Sequence, residues 1–243
     1  MRPVLAACLL LVLSGCFQSS SVLTVRPDGT ATLRDEVTLS GMALMAIGQS
    51  DDPAFNASES EARAVAMGGG ARLRSFEARE DGYTAIYDID DVGGLTLGPP
   101  AGSPGEAEEL SVSFDFDAGD PAVLRILVPK PAPSKPTSPA ESEENGEGEM
   151  GAQMLGMMRS MIGDARLTMA VEVEGEVIDS NAAARDGGHV TILDLPFMAI
   201  LDAMEENPAL AESASSPASR MAEMNAIEGV VISTPGTTRI RFR

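Results

Sequence analysis

The sequence predicts an α+β fold: a mainly antiparallel meander sheet with helices packed on one face, interrupted by a disordered acidic, proline-rich insertion. Three observations predict it. Short runs of alternating apolar and polar residues flank Asp-Gly turns, helix-capping patterns fall between those runs, and residues 129–149 are rich in proline, serine and glutamate without large apolar side chains.

The first element is an address rather than structure. Met1-Arg2-Pro3 precedes an apolar run over 4–13, about half of the roughly twenty residues that a helix needs to cross a bilayer core. Residues 1–15 therefore read as a removable secretory signal. Leu13-Ser14-Gly15-Cys16 resembles the lipobox of bacterial lipoproteins. In that motif the small residues before the cysteine are read by the signal peptidase, and the thiol takes a diacylglycerol. Cleavage leaves Cys16 as the first residue, and several acyl chains such as palmitate then hold it firmly, each buried CH₂ contributing ~0.8 kcal/mol. Cys8 lies in the discarded segment, so about 228 residues must fold on their own core without a disulfide. Residues 16–21, with Ser19-Ser20-Ser21, read as a short lipidated tether.

Strands follow in hairpins. Segments 22–25 and 32–39 alternate around Arg26-Pro27-Asp28-Gly29, segments 73–77 and 83–89 around Asp81-Gly82, and segments 167–178 and 190–195 around Asp186-Gly187-Gly188. Another pair, 110–117 and 122–128, is joined through Gly119-Asp120-Pro121, and a last pair, 230–233 and 238–242, through Pro235-Gly236. The shared turn residues reflect turn chemistry rather than an internal repeat.

Helices are expected between them. Ser58 with Glu61 three residues later is a capping-box pattern opening a helix to about Met67, which Gly68-Gly69-Gly70 closes. Shorter helices are expected over 41–47, 197–204 and 217–226, the last with proline in its first turn. Segments 99–109 and 129–149 bury too little apolar surface to offset the entropy of ordering. The exported part thus divides into 22–128 and 150–243, either two halves of one sheet or a domain and a second small domain.

Charge restricts the partners. The formal net charge is -20, which repels phosphate backbones. The chain has no tryptophan, two tyrosines and seven phenylalanines, a poor stacking platform for bases. Nucleic acid is excluded.

Gly175-Glu176-Val177, Ser180-Asn181, Asp186-Gly187 and Val190-Thr191, together with the strand, Asp-Gly turn and strand over 22–39, resemble the hairpin and amino-terminal part of LppM-like bacterial lipoproteins. The resemblance implies an α+β domain with an antiparallel sheet displayed at the cell envelope, and brings no catalytic residues with it. Many relatives carry a transmembrane helix near the carboxyl end, where this sequence reads Arg239-Ile240-Arg241-Phe242-Arg243. A shared partner does not follow.

Chemistry-bearing residues are sparse. His189 is the one histidine and adjoins a glycine-rich turn; with no second histidine, no G-x-S-x-G elbow and no free cysteine after Cys16, a surface role explains it better than catalysis. Met150, Met154, Met157, Met158 and Met161 would form one stripe on a helix. Thioethers bind Cu(I), but an adaptable apolar stripe facing a core or groove is the stronger reading. Asp88, Asp90 and Asp91, and Asp115, Asp117 and Asp120, lack the ligand spacing of a helix–loop–helix calcium site and read as strand ends. No cofactor or metal is expected.

These readings lead to a non-enzymatic envelope lipoprotein, held to a membrane by lipid and binding a lipid or other apolar ligand. The alternative is a structural or assembly protein that binds other envelope proteins through a sheet edge. Copper or calcium binding is a weaker third reading. Phe17, where an aspartate would signal inner-membrane retention, favours the outer membrane if the cell has two.

Overall fold

In a computed structural model of the full chain, the described residues are 17–41, 44, 55–98, 111–129, 159, 163–207, 210, 217–233 and 236–243. The signal segment, Cys16, residues 130–149 of the insertion and the methionine stripe lie outside them, as does most of the helix expected over 41–47.

Strands dominate, in two sheets. The larger contains β1 (Phe17–Val25), β2 (Ala31–Leu39), β3 (Arg72–Arg79), β4 (Gly82–Ile89), β8 (Arg166–Val173), β10 (Arg185–Asp186), β11 (His189–Pro196) and β12 (Val231–Ile232). Its order is β10-β11-β8-β1-β2-β4-β3, with β12 paired to β11. The smaller contains β5 (Thr96–Leu97), β6 (Val112–Asp117), β7 (Ala122–Val128), β9 (Val177–Ser180) and β13 (Gly236–Phe242), in the order β5-β6-β7-β13-β9. Among the described residues, strand pairings are antiparallel except for β1 with β8. The helices whose full extent is described are α1 (Ala57–Met67), α2 (Phe197–Glu206) and α3 (Pro217–Asn225), and a 3-10 turn covers Val92–Gly94. None of the described helices is long and apolar enough to cross a membrane.

The core lies between the sheets. Period-two burial on β2 puts Ala31, Leu33, Asp35, Val37 and Leu39 on the inner face. At the end of the larger sheet near the Asp28-Gly29 turn, Leu23, Leu33, Tyr87 and Ile89 join Leu124, Ile126, Ile240 and Phe242 of the smaller sheet in one cluster. Burying an aliphatic side chain of this size contributes about 1.5–3 kcal/mol.

Four local expectations are corrected. The helix cap is Asn56, not Ser58: the Asn56 Oδ1 accepts from the Glu59 backbone N–H, and the Asn56 side-chain amide donates to the Glu59 carboxylate, so the cap stands two residues earlier than predicted. The serine tether is strand: Ser19, Ser20 and Ser21 pair with Val37, Glu36 and Asp35 on one side and with β8 on the other, and Ser19 is buried. The run 167–178 is not one strand, because the chain leaves the larger sheet at Gly175 and enters the smaller. Gly175 has φ +129 and packs so tightly that an added Cβ would sit 2.3 Å from the Arg243 carbonyl oxygen. The carboxyl-terminal pair is not a hairpin, since β12 joins β11 while β13 lies between β7 and β9. Alternation reveals a strand's inner face but not its neighbour.

Candidate functional site

The inner face of the larger sheet changes character along β1. Cross-strand register gives successive rows. Val171, Leu23, Leu33, Tyr87 and Leu73 form an apolar row, and the next row towards Phe17 is Met169, Ser21, Asp35, Ala85 and Phe76. Beyond it lie Leu167, Ser19, Val37, Tyr83 and Ala78, then Phe17 and Leu39. A carboxylate therefore sits where alternation calls for an apolar residue.

Helix α1 supplies its counter-charge. Ser60, Ala64 and Met67 are the buried residues of α1, and Arg63, one turn beyond Ser60, brings Nε to 2.9 Å from Asp35 Oδ2. Both side chains are nearly buried, 12% and 5% exposed, so this pair is far less screened than a surface one. The contact is one of charge rather than an aligned hydrogen bond, because Arg63 Nε has no acceptor in hydrogen-bonding geometry. The other Asp35 oxygen, Oδ1, accepts from the Ser21 hydroxyl at 2.6 Å. The buried Tyr87 hydroxyl lies by Ser60 but likewise lacks a partner of good geometry.

Above this pair opens a cleft of about 50 Å³ lined by Phe55, Asn56, Glu59, Ser60, Arg63, Phe76 and Tyr83. The Tyr83 ring lies between Phe55 and Phe76, with centroids 5.5 and 5.4 Å away. Burial pushes the Tyr83 phenol up to about 12, with the Asp35 charge adding to the effect and Arg63 opposing it. Burial also raises Tyr87, against the hydrogen-bonding influence of Ser60. The volume admits about three waters or one small side group. Three aromatic walls over a guanidinium suit the apolar end of a ligand whose polar part stays outside.

The outer face carries a polar groove of about 210 Å³ between Gln18, Ser19, Ser20, Glu36, Thr38, Arg166 and Thr168. Its charges are already matched. Arg166 holds Asp194 through two hydrogen bonds of 2.8 and 2.7 Å, and Arg34 with Arg79 keeps the Glu36 carboxyl below its usual range.

Among the described residues, those singled out in the sequence do not converge. Leu13, Ser14, Gly15 and Cys16 and Met150, Met154, Met157, Met158 and Met161 lie outside the described residues. His189 opens β11 with its side chain 42% exposed, and its Nδ1 is 3.1 Å from Glu172 on the neighbouring strand. The aspartates of the first acidic group are engaged: Asp88 pairs with Arg74, Asp90 with Arg72, and Asp91 accepts from the Gly93 N–H that starts the 3-10 turn. Arg125 faces Asp115 and Asp117 of the second. The cleft residues escaped the sequence reading. Their one signal was Asp35, a charge at an inward position of an otherwise alternating strand.

No family model matches the chain, and no curated protein matches it. Among solved structures the chain is similar to the folded domain of the LppM protein of Mycobacterium tuberculosis, with 10% identity and a TM-score of 0.35 over 95% of this chain and 92% of that one. At that score and identity the similarity assigns no function.

Proposed function

We propose that this chain is a lipid-anchored, non-enzymatic protein of the cell envelope that binds a lipid or other apolar ligand. The observation that carries the reading is the junction of anchor and fold. Cys16 of the lipobox is the residue immediately before β1, an interior strand of the larger sheet between β8 and β2. In this reading the helices cover one face of that sheet, and the cleft beneath α1 takes the apolar end of the ligand, with Phe55, Phe76 and Tyr83 as walls and Arg63 at its base. The engagement of His189, the aspartates and Arg166 in pairwise contacts supports a binding role over an enzymatic one. The protein lies outside the cytoplasm, on the outer membrane where the cell has two.

Two measurements test the reading. Metabolic labelling with an alkynyl fatty acid should mark the protein and should fail for Cys16→Ser; an unmarked wild-type protein removes the anchor. Native mass spectrometry after mild-detergent extraction should show a retained lipid that Tyr83→Ala loses. A mass corresponding to the acylated polypeptide alone would remove the ligand.

A further inference from the structure

We infer that the rim of the larger sheet where β1 begins is the membrane-contacting surface of the protein, and that its occupant is the phospholipid bilayer. The inference rests on acylation of Cys16 and adds an orientation to it. Phe17 already pairs with Leu39, and Gln18 pairs with Thr38 on one side and Arg166 on the other. The acylated residue is thus one Cα step, ~3.8 Å, from a residue fixed in the sheet. A free tether would let the body tumble; here the anchor holds one particular edge of the fold against the lipid.

The rim suits that position. Phe17 is among the exposed large apolar side chains, at 37%. Beside it the Leu39 N–H donates to the Asp81 carbonyl at 2.6 Å, which brings the Glu80–Asp81 turn level with Phe17. On the other side the Phe197 N–H donates to the Ala165 carbonyl at 3.0 Å, placing the apolar start of α2 at the same level. The cations at this level, Arg79 and Arg166, are paired with Glu36 and Asp194, and Glu80, Asp81 and Asp164 are acidic, so attraction to anionic headgroups does not drive the contact and added salt does not release it.

The opposite end is out of reach. The nine residues of β1 span about 26 Å, so the Asp28-Gly29 turn and the smaller sheet packed near it stand in water. The cleft lies close to the bilayer instead. Tyr83 pairs with Val37, two residues before Leu39, or about 7 Å above the rim, a height comparable with the ~5–7 Å thickness of one headgroup layer. A membrane lipid reaches it without crossing water.

The chain contains no tryptophan, so a single introduced indole reports its own surroundings. Full-length acylated protein carrying Phe17→Trp or Glu80→Trp at the rim, or Pro27→Trp at the far turn, is reconstituted in phosphatidylcholine vesicles with and without lipid brominated near the top of its acyl chains. Brominated lipid should quench either rim variant, in high salt as in low, and leave Pro27→Trp unchanged. With acylation confirmed by intact mass, quenching of neither rim variant, or equal quenching at rim and far turn, overturns the orientation and leaves the anchor standing. An unacylated mass overturns both.

Discussion

Asp35 and Arg63 set the residue scale, because each is buried where it must have the other. Replacing Arg63 by methionine leaves a carboxylate under α1 with, among the described residues, the Ser21 hydroxyl as its side-chain partner, a change that typically costs about 3–5 kcal/mol. The double variant Asp35→Leu/Arg63→Met removes both charges and should recover much of that loss. Urea denaturation of the two variants decides, and a double variant as unstable as Arg63→Met would mean that the pair does not account for the loss. The tyrosines offer a second reading at the same scale, since Tyr83 and Tyr87 are the two that the chain contains. A folded phenol at about 12 against an ordinary value of 10.0 means that the native state holds its proton over an interval in which the unfolded state has released it. Stability is therefore intact below pH ~10 and declines between about pH 10 and 12, by on the order of 2 kcal/mol for Tyr83. Near-ultraviolet titration should show tyrosinate appearing late, and Tyr83→Phe should flatten the alkaline decline. Tyrosinate forming at an ordinary pH in the native protein would contradict the burial.

At the scale of elements, local chemistry decides where segments start and stop, and close approach decides how they meet. Asn56→Ala removes the side-chain acceptor of the Glu59 N–H at the start of α1, a cap that contributes ~1 kcal/mol; a drop in thermal midpoint with the native spectrum retained is the expected result. Gly82→Ala is more severe. The β2 and β4 backbones pass so closely that an added Cβ would lie 1.9 Å from the Val37 carbonyl oxygen, so the strands beside the cleft must part and the native circular dichroism should be lost. Both features explain what the sequence could disclose. The cap differs from its predicted place by two residues because Asn56-x-x-Glu59 and Ser58-x-x-Glu61 have the same spacing, and Ser58 instead donates its hydroxyl to Asn56. Ser19-Ser20-Ser21 has the composition of a tether, but composition does not report the two neighbouring strands that turn three serines into sheet. The cleft stayed hidden for the same reason: Phe55, Arg63, Phe76 and Tyr83 lie on separate segments brought together by the fold.

At the scale of the molecule, the 129–149 segment divides the sequence but not the sheets. Strands β1–β7 precede it and β8–β13 follow it, yet β1 runs beside β8 in the larger sheet and β7 beside β13 in the smaller. The core cluster mixes residues from both parts, with Leu23, Leu33 and Leu124 beside Val171, Ile240 and Phe242. Neither part can bury its inner faces alone, because each would expose the edge and the apolar side chains that the other covers. The sequence left one sheet and two domains open, since alternation within a strand carries no information about a partner more than a hundred residues away. A protease site engineered within 139–145 separates the alternatives by experiment. After complete cleavage the two fragments should co-elute in size exclusion, appear as one complex in native mass spectrometry, and part only in denaturant, with a single cooperative transition. Fragments that separate in buffer, each retaining a native spectrum, would mean that the ladders across the insertion do not hold the molecule together. The membrane orientation would then apply only to the part that carries Cys16.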